Sequence, residues 1–369
     1  MAYNATSPNR FGTNAGLSGS GVDELFLKVF SGEVLTTFEE TNLMMGLHRV
    51  RTITSGKTAQ FPVTGVASAK YHTPGESVLV DDTGYLSSIN HGEKTISIDG
   101  ILQSSAFVAD IDEAKNHYDV RSIYSTEIGR ALAYHADKAI MRTVIAGARE
   151  LTDRFSTSAV TTDTAVIASK YLGGVINIDG TSTVDTEIDS QGEYGGSGSQ
   201  ERGKDLYEGI FKAANLMDSK NVSRDGRFCI LSPDNYYKLL TENEDAISRD
   251  FNPEGNGSFA GGDIAAIAGI RILKSTHLPT GDETGDALLD AAEINNNVFG
   301  GTTGYAADFS NTQGVVFQTE GVGTVKLMDL SMESEYFMER MGTLLLAKYA
   351  MGHGVLRPEA CYELVDTGS

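Results

Sequence analysis

Between Val120 and Ala148 the chain places apolar and small residues at the spacing of one helix face. Tyr124, Ile128, Ala131, Leu132, His135, Ala136, Ala139, Ile140, Val144 and Gly147 recur about every 3.6 residues. Roughly 29 residues at ~1.5 Å each make a rod of about 43 Å. An ordinary globular helix has about 11–12 residues. Asp119 is placed to cap this run, and the other faces mix acids and bases as a solvated or interface surface does. Any fold for this chain must accommodate that rod.

The segment before the rod has a different period. Residues 1–21 are rich in Asn, Gly, Ser and Thr and read as a flexible arm. Asp23 then precedes an amphipathic run with Leu25, Phe26, Val29 and Phe30 at helical spacing. From Ser55 the pattern alternates: Ala59, Phe61 and Val63 share one strand face, and Ile96 and Ile98 repeat the alternation within residues 93–102. About 30 polar residues with turn signals at Pro74-Gly75 and Asp82-Thr83-Gly84 separate them. This predicts a long two-stranded arm. An isolated hairpin is marginal in water, so it must lie on another surface. Two readings stay open: a hairpin packed on its own domain, or a contact with another subunit. Asp110 is placed to cap a short helix before the long one.

Beyond the rod, residues 151–204 are rich in Thr, Ser, Gly and Asp and read as a surface insertion or linker. KDLYEGIFKAANLMDSK is helical; RFCIL is a buried strand; SPDNYYKLLTE opens a helix with Ser232 as cap and Pro233 in its first turn. Ile270–Lys274, GVVFQTEG, GVGTVKLMDLSME and CYELV read as strands, while MGTLLLAKYAMGH fits strand or helix. Residues 279–312 are turn-rich without a clear period, and no internal repeat is present. Helices and strands mix without strict alternation, which predicts an α+β fold.

A chain of 369 residues, 40% hydrophobic, is long enough for two or three domains with real cores. No stretch reaches the roughly 18 apolar residues of a membrane span, and the N-terminus lacks a secretory pattern. The two cysteines, Cys229 and Cys361, read as reduced and structural. The net charge of −21 is uneven, with 26 Asp and Glu against 12 Lys and Arg in residues 151–320. Sequence-specific nucleic-acid binding is disfavoured, because affinity needs phosphate-neutralising cations. An acidic surface serves solubility, or repels polyanions.

The sequence motifs predict no catalytic, cofactor or metal site. Ser55-Gly56-Lys57-Thr58 resembles the end of a phosphate-binding loop, but Arg51 stands where its first glycine belongs and a strand with Pro62 follows. No two of the seven histidines are four residues apart, and no cysteine pair accompanies them. His135 reads as a packed or interface residue. His353 between Gly352 and Gly354 points to tight backbone geometry rather than catalysis. Arg49, Arg51, Lys57 and Lys70 form a basic patch at the base of the arm; two readings stay open, ordinary surface charge or, with Phe61, candidate contacts to acidic neighbouring subunits.

Six segments, in order, resemble the major capsid proteins of T-seven-type short-tailed phages, cyanophage relatives included. They are FLKVFSGEVLTTF (26–38), SGKTAQFPV (55–63), EKTISIDGIL (93–102), NHYDVRSIYS (116–125), VGTVKLMDL (322–330) and AKYAMGHGVLRPEA (347–360). The resemblance implies the Hong Kong 97 capsid fold. Residues 1–54 would be an N-terminal arm and 55–104 an extended E-loop. Residues 105–204 would be the first part of a peripheral domain, with a spine helix within 119–149 and the Gly/Ser-rich insertion. An axial domain would fill 205–320, the peripheral domain would resume over 321–354, and 355–369 would return a strand to the axial domain. The partners implied are copies of the chain in hexamers and pentamers, a scaffolding protein, a portal at one vertex, and packaged DNA held without sequence specificity, with no membrane. The place implied is the virion capsid, assembled in the cytoplasm of a bacterial host. The rival reading is a soluble nucleotide-dependent enzyme using Lys57.

Overall fold

The computed structural model describes residues 42–65, 67, 69–78, 89, 91–115, 120–151, 170–178, 187–189, 202–242, 257–258, 263–264, 266–286, 288–289, 291, 293–299 and 304–366. The expectations for the arm at 1–21, the run from Asp23, the cap at Asp119, the turn at Asp82-Thr83-Gly84 and most of the polar stretch 179–201 lie outside these residues.

Two sheets are built against one long helix. The first sheet has four strands: β1 (Arg49–Thr52) and β4 (Leu102–Ala109) flank a long hairpin. After β2 (Thr58–Thr64) and β3 (His91–Ser97), which among the described strands pair only with each other, come the short α1 (Asp110–Lys115) and α2 (Val120–Arg149). The second sheet contains β5 (Gly174–Asn177), β6 (Glu187–Asp189) and β7 (Arg227–Leu231), with α3 (Arg202–Ser219) and α4 (Pro233–Glu242) between and after them. A two-residue ladder joins β8 (Gly257–Ser258) to β9 (Asp263–Ile264). β10 (Ala266–Ile267), β11 (Ile270–Lys274) and β12 (Thr312–Gln318) follow. The long hairpin is β13 (Val322–Phe337) with β14 (Gly342–Val355), and β15 (Cys361–Val365) closes the chain. The four-stranded order is β1-β13-β14-β4; the seven-stranded order is β10-β11-β7-β12-β15-β5-β6.

The seven-stranded sheet is covered on both faces, which is why its central strands read as nearly continuous apolar runs. Leu206, Ile210, Ala213 and Met217 of α3 and Leu239 of α4 pack on one face with Cys229 and Tyr362. Ile140, Met141, Val144 and Ile145 of α2 pack on the other with Ile230, Val315, Phe317 and Cys361. From Ala139 to Ala148 every residue of α2 is buried, so this end of the rod has no solvated face. Its N-terminal half instead lays Ile128, Leu132 and Ala136 on the four-stranded sheet.

Several expectations need correction. Residues 151–204 are not wholly a surface insertion: Leu172, Ile176 and Ile178 are buried, and β5 pairs in parallel with β15. β5 and β6 are strands of the seven-stranded sheet, beside β15. The second arm strand ends at Ser97, and Leu102–Ala109 is a separate strand on β14. MGTLLLAKYAMGH is strand. Asp110 lies within α1 and accepts the Tyr336 hydroxyl at 2.7 Å. The cap at Ser232 holds, with its Oγ accepting the Asn235 amide at 3.4 Å.

Candidate subunit interface

The arm leaves the body at the end of β1. β2 and β3 run antiparallel from Thr58 opposite Ser97 to Thr64 opposite His91. The base of this hairpin lies on its own chain: Ala59, Phe61, Ile96 and Ile98 form a core with Val325, Ala350 and Leu356. The crossing is close. A Cβ on Gly352 would collide with the Ser97 carbonyl oxygen, and one on Gly354 would come within 2.8 Å of Ile96 Cγ1. The Gly-His-Gly motif is thus a place where β3 passes over β14 with no room for side chains.

His353 points to the other side, into a buried polar chain. The Met44 carbonyl can only accept, so His48 Nδ1 donates to it (2.7 Å) and His48 Nε2 must accept. Thr324 Oγ1 donates to that nitrogen (2.6 Å) and accepts from His353 Nδ1 (2.8 Å). The His353 amide donates to the Tyr305 hydroxyl (3.1 Å), which donates to Asp99 (2.7 Å). Asp99 also receives the Asn295 and Asn296 amides. Burial pushes His353 down to about 3 and lowers His48, while burial raises Asp99 despite its hydrogen bonds. The histidines are neutral near pH 7, and this network joins the residues after β3 to the 293–305 loop.

Two further locks hold α2. Asp137, fully buried, accepts the Leu43 and Met44 amides (2.7 and 3.1 Å) and the His277 ring (3.1 Å). Arg149 at the helix end makes a bidentate pair with buried Glu363. None of these residues was singled out from sequence. The one signal for Glu363 is an acid inside an otherwise apolar strand; Asp99 carries none.

Of the candidate contacts, Arg49, Arg51, Lys57 and Lys70 are exposed, whereas Phe61 is 8% exposed and packed within its own chain. Phe61 thus supports the base of the hairpin on its own chain. Arg51 sits over its ring at 5.6 Å and donates to the Gln60 carbonyl at 3.1 Å. Arg49 shares a groove with Val63, Glu320, Leu356 and Arg357. Lys57 and Lys70 lie beyond opposite ends of β2 in the sequence. Lys57 precedes a strand rather than the helix that opens after a phosphate-binding loop. No cluster of metal-ligating side chains is present among the described residues.

The profile of the Gp10A-like family, described as major capsid protein, matches residues 60–365. The chain belongs to this family. The major capsid protein of Enterobacteria phage T3 is 35% identical over 372 residues, covering 98% of both chains. That of Escherichia phage T7 is 33% identical over 371 residues, again 98% of both. The capsid structure of cyanophage P-SCSP1u has a TM-score of 0.72 at 37% identity, covering 98% of this chain and 99% of its own. The mature capsid of bacteriophage PhiM1, at 16% identity, shares the fold with a TM-score of 0.66 over 100% of this chain and 99% of its own. The fold is thus the α+β Hong Kong 97 capsid type, and this family member is a structural subunit of a tailed-phage capsid shell. The findings favour that role over the nucleotide-dependent enzyme. No helix among the described residues is long and apolar enough to cross a membrane.

Proposed function

We propose that the arm is the E-loop of the shell, spanning 55 to about 101, and that it binds a neighbouring copy beyond its base. One observation supports this above all. The hairpin is anchored at Phe61 and Ile96, yet beyond β2 Tyr71 is 101% exposed and Val78 50%. An extended arm with exposed apolar residues needs a surface that its own described residues do not offer. In this reading residues 1–54 are the N-terminal arm and α2 is the spine helix. The four-stranded sheet belongs to the peripheral domain (about 102–170 and 321–354). The seven-stranded sheet is the axial domain (about 171–320), to which 355–369 return.

Copies assemble as hexamers and pentamers, with weak contacts multiplied by closure of the shell. The basic residues Arg49, Arg51, Lys57 and Lys70 set register against acidic neighbours more than they add affinity. A scaffolding protein, a portal vertex and DNA lying on an acidic inner wall complete the scheme, in the cytoplasm of a bacterial host. The protein co-expressed with its scaffolding protein is to be sedimented, and the fast fraction viewed by electron microscopy. Closed regular shells are expected. A stable monomer or small oligomer at every salt concentration overturns the reading.

A further inference from the structure

The outer half of β13 is an amphipathic strand, and among the described residues no element covers its apolar face. Directly opposed residues of an antiparallel ladder share a face. Ala347 and Leu345 of β14 face α2. Their partners are Met332 and Ser334, and Tyr336 stands opposite Thr343, so these residues lie on the helix side as well. The helix covers β14 and β4 but not this flank: Met332 is 47% exposed, Tyr336 52%, and Met338 just beyond the strand 81%. The alternate positions Glu333 and Glu335 present the opposite, acidic face.

The chain enters on that same helix side. The amides of Leu43 and Met44 are held by Asp137 of α2, and Met45 packs against the clusters formed by both halves of that helix. Just upstream, Leu25, Phe26, Val29 and Phe30 recur at helical spacing between the acids Asp23, Glu24 and Glu33. The flank from Lys326 to Tyr336 is ten residues, about 33 Å at ~3.3 Å each. The twelve residues from Phe30 to Asn42 span up to about 40 Å. The apolar run can therefore reach all of it, and the tether at Asp137 gives it a high effective concentration there.

We propose that, within residues 23–38, the apolar stripe Leu25, Phe26, Val29 and Phe30 docks on the helix-side face of outer β13 in the same chain, beside α2, with the residues after Phe30 as its tether. This does not depend on the arrangement of copies in a shell. The test places the photo-crosslinker p-benzoylphenylalanine at Met332 in the full-length, unassembled protein and maps products by mass spectrometry across a tenfold range of concentration. The expected product is a monomer cross-linked to residues 23–38, in a yield independent of concentration and reduced at least fivefold by Phe26→Asp with Phe30→Asp. Cross-linked dimers, whose yield rises with concentration, would assign the face to a second copy and overturn the proposal. So would the absence of cross-links to residues 23–38, or a yield unchanged by the double substitution.

Discussion

Arg149 and Glu363 meet through two parallel hydrogen bonds of 2.7 Å, joining the end of the long helix to the last strand. The two partners are not equivalent. Glu363 is wholly buried and also accepts from Thr312 Oγ1 at 2.6 Å, whereas the Arg149 side chain is 29% exposed and donates to the Asp308 carbonyl. Removing the cation strands a buried carboxylate; removing the carboxylate leaves a cation that reaches water. Arg149→Met should therefore cost about 3–5 kcal/mol and Glu363→Gln clearly less. Denaturant unfolding of both variants checks the order, and equal or reversed losses count against it.

The glycines around His353 should tolerate substitution unequally. At Gly352 the obstacle is the Ser97 backbone oxygen; at Gly354 it is the flexible Ile96 side chain; at Gly46 nothing lies within 4 Å. Gly354→Ala should cost about 1–3 kcal/mol as an overpacking change, Gly352→Ala more, and Gly46→Ala little. Thermal melts of the three variants supply the comparison.

Asp137→Asn should loosen the chain entry. The amide oxygen can still accept one main-chain N–H, but the carboxylate's set of three donors is broken. A loss of about 1–3 kcal/mol is expected. Amide exchange at Leu43 and Met44 should accelerate before exchange at the α2 core does. Unchanged protection of those two amides would contradict the assigned role.

Acid should destabilise the fold between about pH 6.5 and 4. Burial pushes His353 down to about 3 and His135 to about 4, and lowers His48. Below the unfolded value of about 6.5, the unfolded chain binds protons that the folded chain refuses, so stability falls as pH falls. Asp99 and Asp137, raised mainly by burial, act in the opposite direction nearer their own range. Both ring nitrogens of His135 are buried without a hydrogen-bond partner. His135→Leu should flatten the pH dependence of Tm over this window and should not lower Tm at pH 7. A slope as steep as that of the parent chain would exclude His135 as a contributor.

Reversing Arg49 and Arg51 together to Glu should reduce the yield of shells more than it lowers the subunit Tm. Both side chains are exposed, and Arg51 donates to a main-chain oxygen and sits over a ring face. Normal shell yield from the double variant would remove these residues from the interface.

Much of the fold was legible because local periodicity carries it. The rod at Val120–Arg149, the arm strands at Thr58–Thr64 and His91–Ser97, and the buried runs RFCIL and CYELV follow from the spacing of apolar residues alone. The Gly-His-Gly geometry was anticipated, since paired glycines signal a close backbone approach. Tertiary structure alone decided the rest. β5 is four residues within a polar tract, too short to show a period, and becomes a strand because β15 offers it an edge. Phe61 looks the same in sequence whether it meets a neighbour or its own Leu356. Asp99, Asp137 and Glu363 are single acids whose meaning depends on donors from 51 to 214 residues away. Periodicity encodes which face of an element is apolar; which polar groups meet across the core is set only when those faces close on one another.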